Sequence, residues 1–204
     1  MKEYLENQLN KLVVYQQLKD RCEKNNQHEV LALVAKVGDF AVEHLKTVIK
    51  NMPEFTLHDD THIFNMLTII GKLVPQENMR NLSTPDLFML IISVFLHDIG
   101  MAPDEKYILA WKNQLPEEQY DEKLQEEREK FARFRLTYTH QLTDIERLVA
   151  EKEFAKAQLL EDYIVTEYIR LSHSIRAREI IANYWEGKII YKDTDLTEDL
   201  ATIC

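Results

Sequence analysis

The run LSTPDLFMLIISVFLHDIG, Leu82 to Gly100, decides the fold. Ser83 or Thr84 can accept a hydrogen bond from the unpaired N–H groups of a first helical turn. Pro85 falls at or near the first helical position, where its missing N–H costs nothing. From Leu87 to Leu96 only Ser93 is not plainly apolar. A helix without a wet face belongs inside a bundle, and this run is too short to cross a bilayer. Gly100 suits the left-handed conformation that closes many helices. Just before it stand His97 and Asp98, two metal-ligand types at the end of a buried rod. A helix C-terminus carries partial negative charge, so it disfavours a bare carboxylate and favours a cation. A bound metal ion would reconcile the two.

Working outward, the rest of the chain supports an all-α fold. Only 4 glycines and 5 prolines occur in 204 residues, too few turn signals for a many-stranded architecture. Residues 3–24 read as one helix with a partial stripe of Leu5, Leu9, Leu12, Val13 and Gln16. Val30, Val34, Val37, Ala41, Leu45, Val48 and Met52 mark a second, closed by Pro53. His44 lies on that stripe and reads as a core histidine. A third helix, capped by Asp59, Asp60 or Thr61, buries Ile63, Met66, Leu67, Ile70 and Val74. His62 sits in its first turn at the edge of the buried face, with His58 four residues earlier and outside the helix. Gln76 to Leu82 reads as a polar connection.

Residues 102–162 form a charged helical excursion within what reads as a single domain, 1–204. The excursion, charge-dense from Glu117 to Lys130, is open to three roles: a lid, the arm of a homodimer or, by default for a charge run, a solvated helical hairpin. Leu142 to Tyr163 resumes helical periodicity. Tyr163 to Trp185 is again helical, and His173 and Arg176, three apart, share a face. Ile189 to Tyr191 is an extended link. The closing LTEDLATIC reads as the start of a helix capped by Asp195 or Thr197, so the chain is expected to be the N-terminal part of a longer protein.

A net charge of −10 argues against a broad footprint on nucleic acid or an anionic membrane. It leaves room for a local basic pocket that takes a small phosphate compound. Cys22 and Cys204 are far apart and lack metal spacing, which fits free thiols in a reducing compartment. MKEYLENQLNK lacks the continuous apolar core of a secretory signal, so a cytoplasmic location is expected.

His62, His97–Asp98 and His173 repeat one context, a ligand at the end or edge of an apolar helix. Imidazole with carboxylate suits Mn, Fe, Ni, Zn or Mg. Adjacent His and Asp on a helix point about 100° apart, so they can meet one cation from two sides, or Asp98 can bridge two.

The string FLHDIG, preceded by HDDTHIFNML, resembles the HD-domain metal-dependent phosphohydrolase superfamily. TLHDDTHIFNML, LHDIGMAP and YIRLSHSIRAREII together resemble more closely an HD-like N-terminal module of bacterial proteins that carry a GHKL-type ATPase domain downstream. The resemblance implies an HD-domain-like helical bundle holding divalent metal. His62, His97 and Asp98 would be ligands, and His173 a ligand to a second metal or a catalytic acid. Arg176 would face the phosphate, and His58 would either reach the substrate or support its loop. The family's later ligands have no clear match, with Asp193, Asp195 and Asp199 as stand-ins. Two functions follow from the resemblance. One is hydrolysis of a nucleotide-like phosphoester by metal-activated water. The other is a catalytically incomplete module that senses a phosphate-containing ligand and regulates the downstream ATPase domain, in a setting such as phage defence.

Overall fold

The computed structural model describes residues 2–51 and 60–204; Met52, Pro53, His58 and Asp59 lie outside them. In chain order the elements are α1 (Lys2–Leu9), α2 (Val13–Lys24), α3 (His28–Asn51), α4 (Asp60–Leu73), α5 (Gln76–Asn81) and α6 (Thr84–Leu96). A 3-10 turn (Ile99–Met101), α7 (Glu105–Trp111), a second 3-10 turn (Glu117–Gln119), α8 (Glu122–Arg135), α9 (Thr139–Ala150) and α10 (Phe154–Tyr184) follow. The chain ends with β1 (Ile190–Tyr191), β2 (Thr194–Asp195) and α11 (Thr197–Ile203). The fold is all-α apart from one two-residue hairpin. The chain forms two compact units, Met1–Ala102 with His173–Cys204, and Pro103–Ser172.

In the first unit α6 is the shared packing partner of α2, α3, α4 and α11. Leu87, Phe88, Ile91, Ile92, Phe95 and Leu96 are fully buried, each contributing about 1.5–3 kcal/mol of burial. The helix starts where its sequence says. Ser83 Oγ accepts from the Asp86 N–H at 3.3 Å and Asp86 Oδ2 accepts from the Ser83 N–H at 2.8 Å, a reciprocal capping box followed by Pro85. The hydrogen bonds from Ser83, side chain first and then backbone, hold the Asp86 carboxyl below its usual pKa. Ser83→Ala is expected to cost about 1 kcal/mol of unfolding free energy, read as a lower denaturant midpoint at unchanged slope.

By length and composition Thr84–Trp111 would pass for a membrane span, but 67% of its apolar window is buried inside the protein. That is the signature of a core segment.

Four local expectations are changed or refined in the structure. Residues 3–24 are two helices, because Leu12 is extended (φ −90°, ψ 124°) and resets the helical phase. Val14 is thereby buried and Val13 turned outward, 42% exposed. Gln16 Nε2 and Lys19 Nζ hold the break by donating to the carbonyl and side-chain oxygens of Asn10. Gln76–Asn81 is a short helix rather than a plain connection, anchored by buried Met79. Ile190–Tyr191 pairs with Thr194–Asp195, joined by Lys192 and Asp193, both at positive φ as a type I′ turn requires. The N-cap of α11 is Leu196, while Asp195 Oδ1 accepts from the Thr197 N–H at 2.9 Å.

The second unit, residues 103–172, is more than a solvated hairpin. Asp121 caps α8 by accepting from the Leu124 N–H, and Ala110, Leu115 and Leu124 form a small core. Beside it Trp111 meets Tyr168 edge-on at 5.1 Å between centroids, with Phe131 and Phe134 also against Tyr168. Such aromatic pairs add about 0.5–1.5 kcal/mol each beyond area burial.

Candidate metal centre

Three elements of the first unit bring the site together. Helix α6 stops at Leu96, His97 is its C-cap in α geometry, and Asp98 leaves the helix at φ −102°, ψ 4°. The break turns the Asp98 carboxylate inward, 5% exposed. His62, in the first turn of α4, places Nε2 3.4 Å from Asp98 Oδ2, and His97 Nε2 lies 2.9 Å from the same oxygen. From α10, His173 Nε2 approaches the other oxygen, Oδ1, at 3.9 Å. His62, His97 and Asp98 each direct one ligand atom into a common space, all within 4.8 Å of one another.

The hydrogen-bond logic favours a cation there. His97 Nδ1 sits 2.8 Å from the Val94 carbonyl. A carbonyl can only accept, so the ring hydrogen is on Nδ1. Nε2 therefore either carries a second proton or points a lone pair at a carboxylate oxygen. A metal ion held by Nε2 would stand in place of that second proton and remove the conflict, and a backbone carbonyl on Nδ1 is the kind of outer partner that orients metal-binding imidazoles. Without metal the balance of interactions favours the protonated ring. Burial opposes charging His97, but the hydrogen bond and charge of Asp98, with the Val94 carbonyl, outweigh it and raise the pKa. Two nitrogens and one oxygen form a donor set suited to a borderline divalent ion, and an ion held by these three residues would keep coordination positions open.

This predicts opposite pH trends. In chelator, the stability contributed by protonated His97 is full below 6.5, the ordinary value, and is lost as pH rises through the raised pKa. Metal needs unprotonated nitrogens, so stabilisation by Mn²⁺ grows over the same interval. Melting curves with and without Mn²⁺ should diverge as pH rises; parallel curves would mean that His97 is not a ligand.

Gly100 does not close the helix in a left-handed conformation. Among the described residues Gly187 is the glycine at positive φ, and Gly100 lies in the 3-10 turn. Its role is close approach. A Cβ placed there would fall 1.9 Å from the His173 carbonyl oxygen and 2.6 Å from the Ala177 nitrogen. Arg176 reinforces the seam, donating from Nε to the Gly100 carbonyl at 2.8 Å. The turn after His-Asp and the backbone of α10 are thus in direct contact, which brings His173 to Asp98.

His58 lies outside the described residues. His44 is half-buried, stacks on Phe40 at 5.5 Å between centroids, and is not one of the three clustered residues. Of the stand-ins, Asp195 is engaged by Thr197 and the Gly187 N–H, Asp193 sits in the hairpin turn, and Asp199 is exposed on α11. None joins the ligand cluster among the described residues. The contact of Gly100 with α10 was not foreseen from the sequence; a glycine directly after His-Asp-Ile was its only local trace.

A buried apolar helix ending in His-Asp, met by a histidine from the preceding long helix in an all-α unit, defines an HD-type domain. The chain belongs to the HD-CE family, whose sequence profile matches residues 52–204 and so covers the whole ligand set. No curated protein and no solved structure matches it.

Proposed function

We propose that the chain is a divalent-metal-dependent phosphohydrolase module acting on a nucleotide-like phosphoester. The observation that carries this reading is the convergence of His62, His97 and buried Asp98 on one space. These three residues hold the ion, of the Mn, Fe, Ni, Zn or Mg class. When bound, such an ion supplies Lewis-acid charge at the phosphoryl group and makes water acidic enough to attack at neutral pH. Asp98 directs Oδ2 toward His62 and His97 and Oδ1 toward His173, so its carboxylate can serve ligands on both sides. His173 either completes a second ion's shell or protonates the leaving oxygen. Arg176, steadied through Nε on Gly100, meets phosphate oxygens with its terminal nitrogens, a planar fork matched to that geometry. His58 adds a further substrate contact.

The sensing alternative draws on the stand-in aspartates. None of them joins the ligand cluster among the described residues, which suits a module that binds a phosphate compound without turning it over. In that reading the chain acts in the bacterial cytoplasm, as a homodimer or alone. It passes ligand state to a GHKL-type ATPase domain downstream, in a role such as phage defence. The two readings part in one assay, phosphate or nucleoside release from a panel of nucleotides and cyclic nucleotides with Mn²⁺ or Ni²⁺. Turnover that disappears in His62→Ala supports hydrolysis. Ligand-dependent thermal stabilisation with no turnover across the panel would replace hydrolysis with sensing.

A further inference from the structure

The second unit has a cleft of its own, independent of the metal ligands. It encloses about 520 Å³ between the end of α7, the face of α8 and the first turns of α10, within the range of small-molecule sites, about 300–1,000 Å³. Lys112, Arg128, Arg133 and Arg135 line it against a single lining carboxylate, Glu161. Counting also Asp162 and Glu117, which pair with Lys112 at 2.7 Å and Arg128 at 3.2 Å, four cations face three anions. The whole chain has 25 basic and 35 acidic residues, so this cleft reverses the protein's overall sign.

Its cations differ in how firmly they are held. Arg135 is paired with Glu161 through two nitrogens. Arg128 spans Asn113 Oδ1 at 3.0 Å and Glu117, and lies 4.8 Å over the Tyr120 ring. The carboxylates of Glu117 and Asp162 are 78% and 44% exposed; such pairs are weak and exchange readily for a stronger anion. Arg133 is exposed and, among the described residues, has no ion-pair or hydrogen-bond partner. Next to these charges the wall turns apolar. Leu136 is 67% exposed, and Phe131 and Trp111, which line the same cleft, pack on Tyr168.

We propose that this cleft is a second binding site, for an organic phosphate whose anionic group lies on Arg133 and Arg128 and whose planar or apolar body rests on Leu136 and Phe131. An arginine fork recognises phosphate oxygens in pairs. The concave shape and size favour a small molecule over an extended polymer, for which the chain's net charge is also unfavourable. The proposal does not rest on the metal-centre reading.

The test is calorimetric titration of the full chain in chelator, with ADP, pyrophosphate and adenosine as probes. Wild type, Asp98→Ala, Arg133→Lys and the double variant Arg128→Ala/Arg133→Ala are compared, with circular dichroism to confirm folding. ADP should bind wild type and Asp98→Ala equally, bind Arg133→Lys a few-fold more weakly because lysine keeps the charge without the paired fork, and bind the double variant at least tenfold more weakly. Adenosine and pyrophosphate should each bind well below ADP. Failure of ADP to bind wild type, equal binding by the double variant, or loss in Asp98→Ala would each overturn the assignment. Pyrophosphate binding as tightly as ADP would overturn the organic part, and adenosine doing so would overturn the phosphate part.

Discussion

Gly100→Ala is expected to destabilise the first unit by about 3 kcal/mol or more, at the upper end of what overpacking does. The added carbon meets backbone, the carbonyl oxygen of His173 at 1.9 Å and the nitrogen of Ala177 at 2.6 Å. No side-chain rotation relieves that contact, so α10 or the Ile99–Met101 turn must shift. Either shift lengthens the Arg176 Nε to Gly100 carbonyl bond and moves His173 from Asp98. Chemical denaturation measures the first effect. Metal affinity of the folded fraction measures the second, and it should fall less than in a ligand variant because His62, His97 and Asp98 lie on the other side of the seam. A Gly100→Ala protein as stable as wild type would show that the seam is looser than described.

Asp98→Asn should be the most damaging change to the chemistry and one of the mildest to the fold. The amide keeps the shape of the carboxylate, and its N–H can donate to a neutral imidazole nitrogen, so the buried position remains satisfied. It loses the negative charge toward which His62, His97 and His173 are directed at 3.4, 2.9 and 3.9 Å. Divalent-metal binding should weaken by at least about 100-fold, more than the 10–100-fold typical of outer-shell changes. Any phosphoester turnover should fall by about 10³-fold or more, since several kcal/mol of charge stabilisation go with the ion. Competition with a chromogenic chelator and initial rates would read the two. Retained turnover in this variant would remove Asp98 from the mechanism.

How far the sequence disclosed these features depends on how local their causes are. Helix α6 was readable because a capping box, a proline and an unbroken apolar run all act within a few turns of one another. His97, Asp98 and His62 were readable because ligands at helix ends announce themselves by residue type and position. The seam at Gly100 was not, because the residue that requires the glycine is 73 positions later on α10. The same separation concealed the bond from Arg176, whose Nε is committed to backbone rather than wholly to a phosphate. The break at Leu12 was hidden for a related reason: no glycine or proline marks it, and only packing of Leu9, Leu12 and Val14 on the bundle selects it. The second unit ends at Ser172, inside α10, where helical periodicity continues and composition shows no change. Its cleft draws on residues from three separate elements, which a charge run in α8 alone could not reveal.

A metal centre at the end of α6 and the start of α4 shows first in the metal content of the protein. Elemental analysis of the full chain purified without chelator, wild type beside His97→Ala/Asp98→Ala, measures that content. Wild type should carry at least one divalent ion per chain, and the folded double variant almost none. A wild-type protein that stays metal-free after incubation with Mn²⁺, Fe²⁺, Ni²⁺, Zn²⁺ and Mg²⁺, or a double variant that keeps its metal, would contradict a metal centre there.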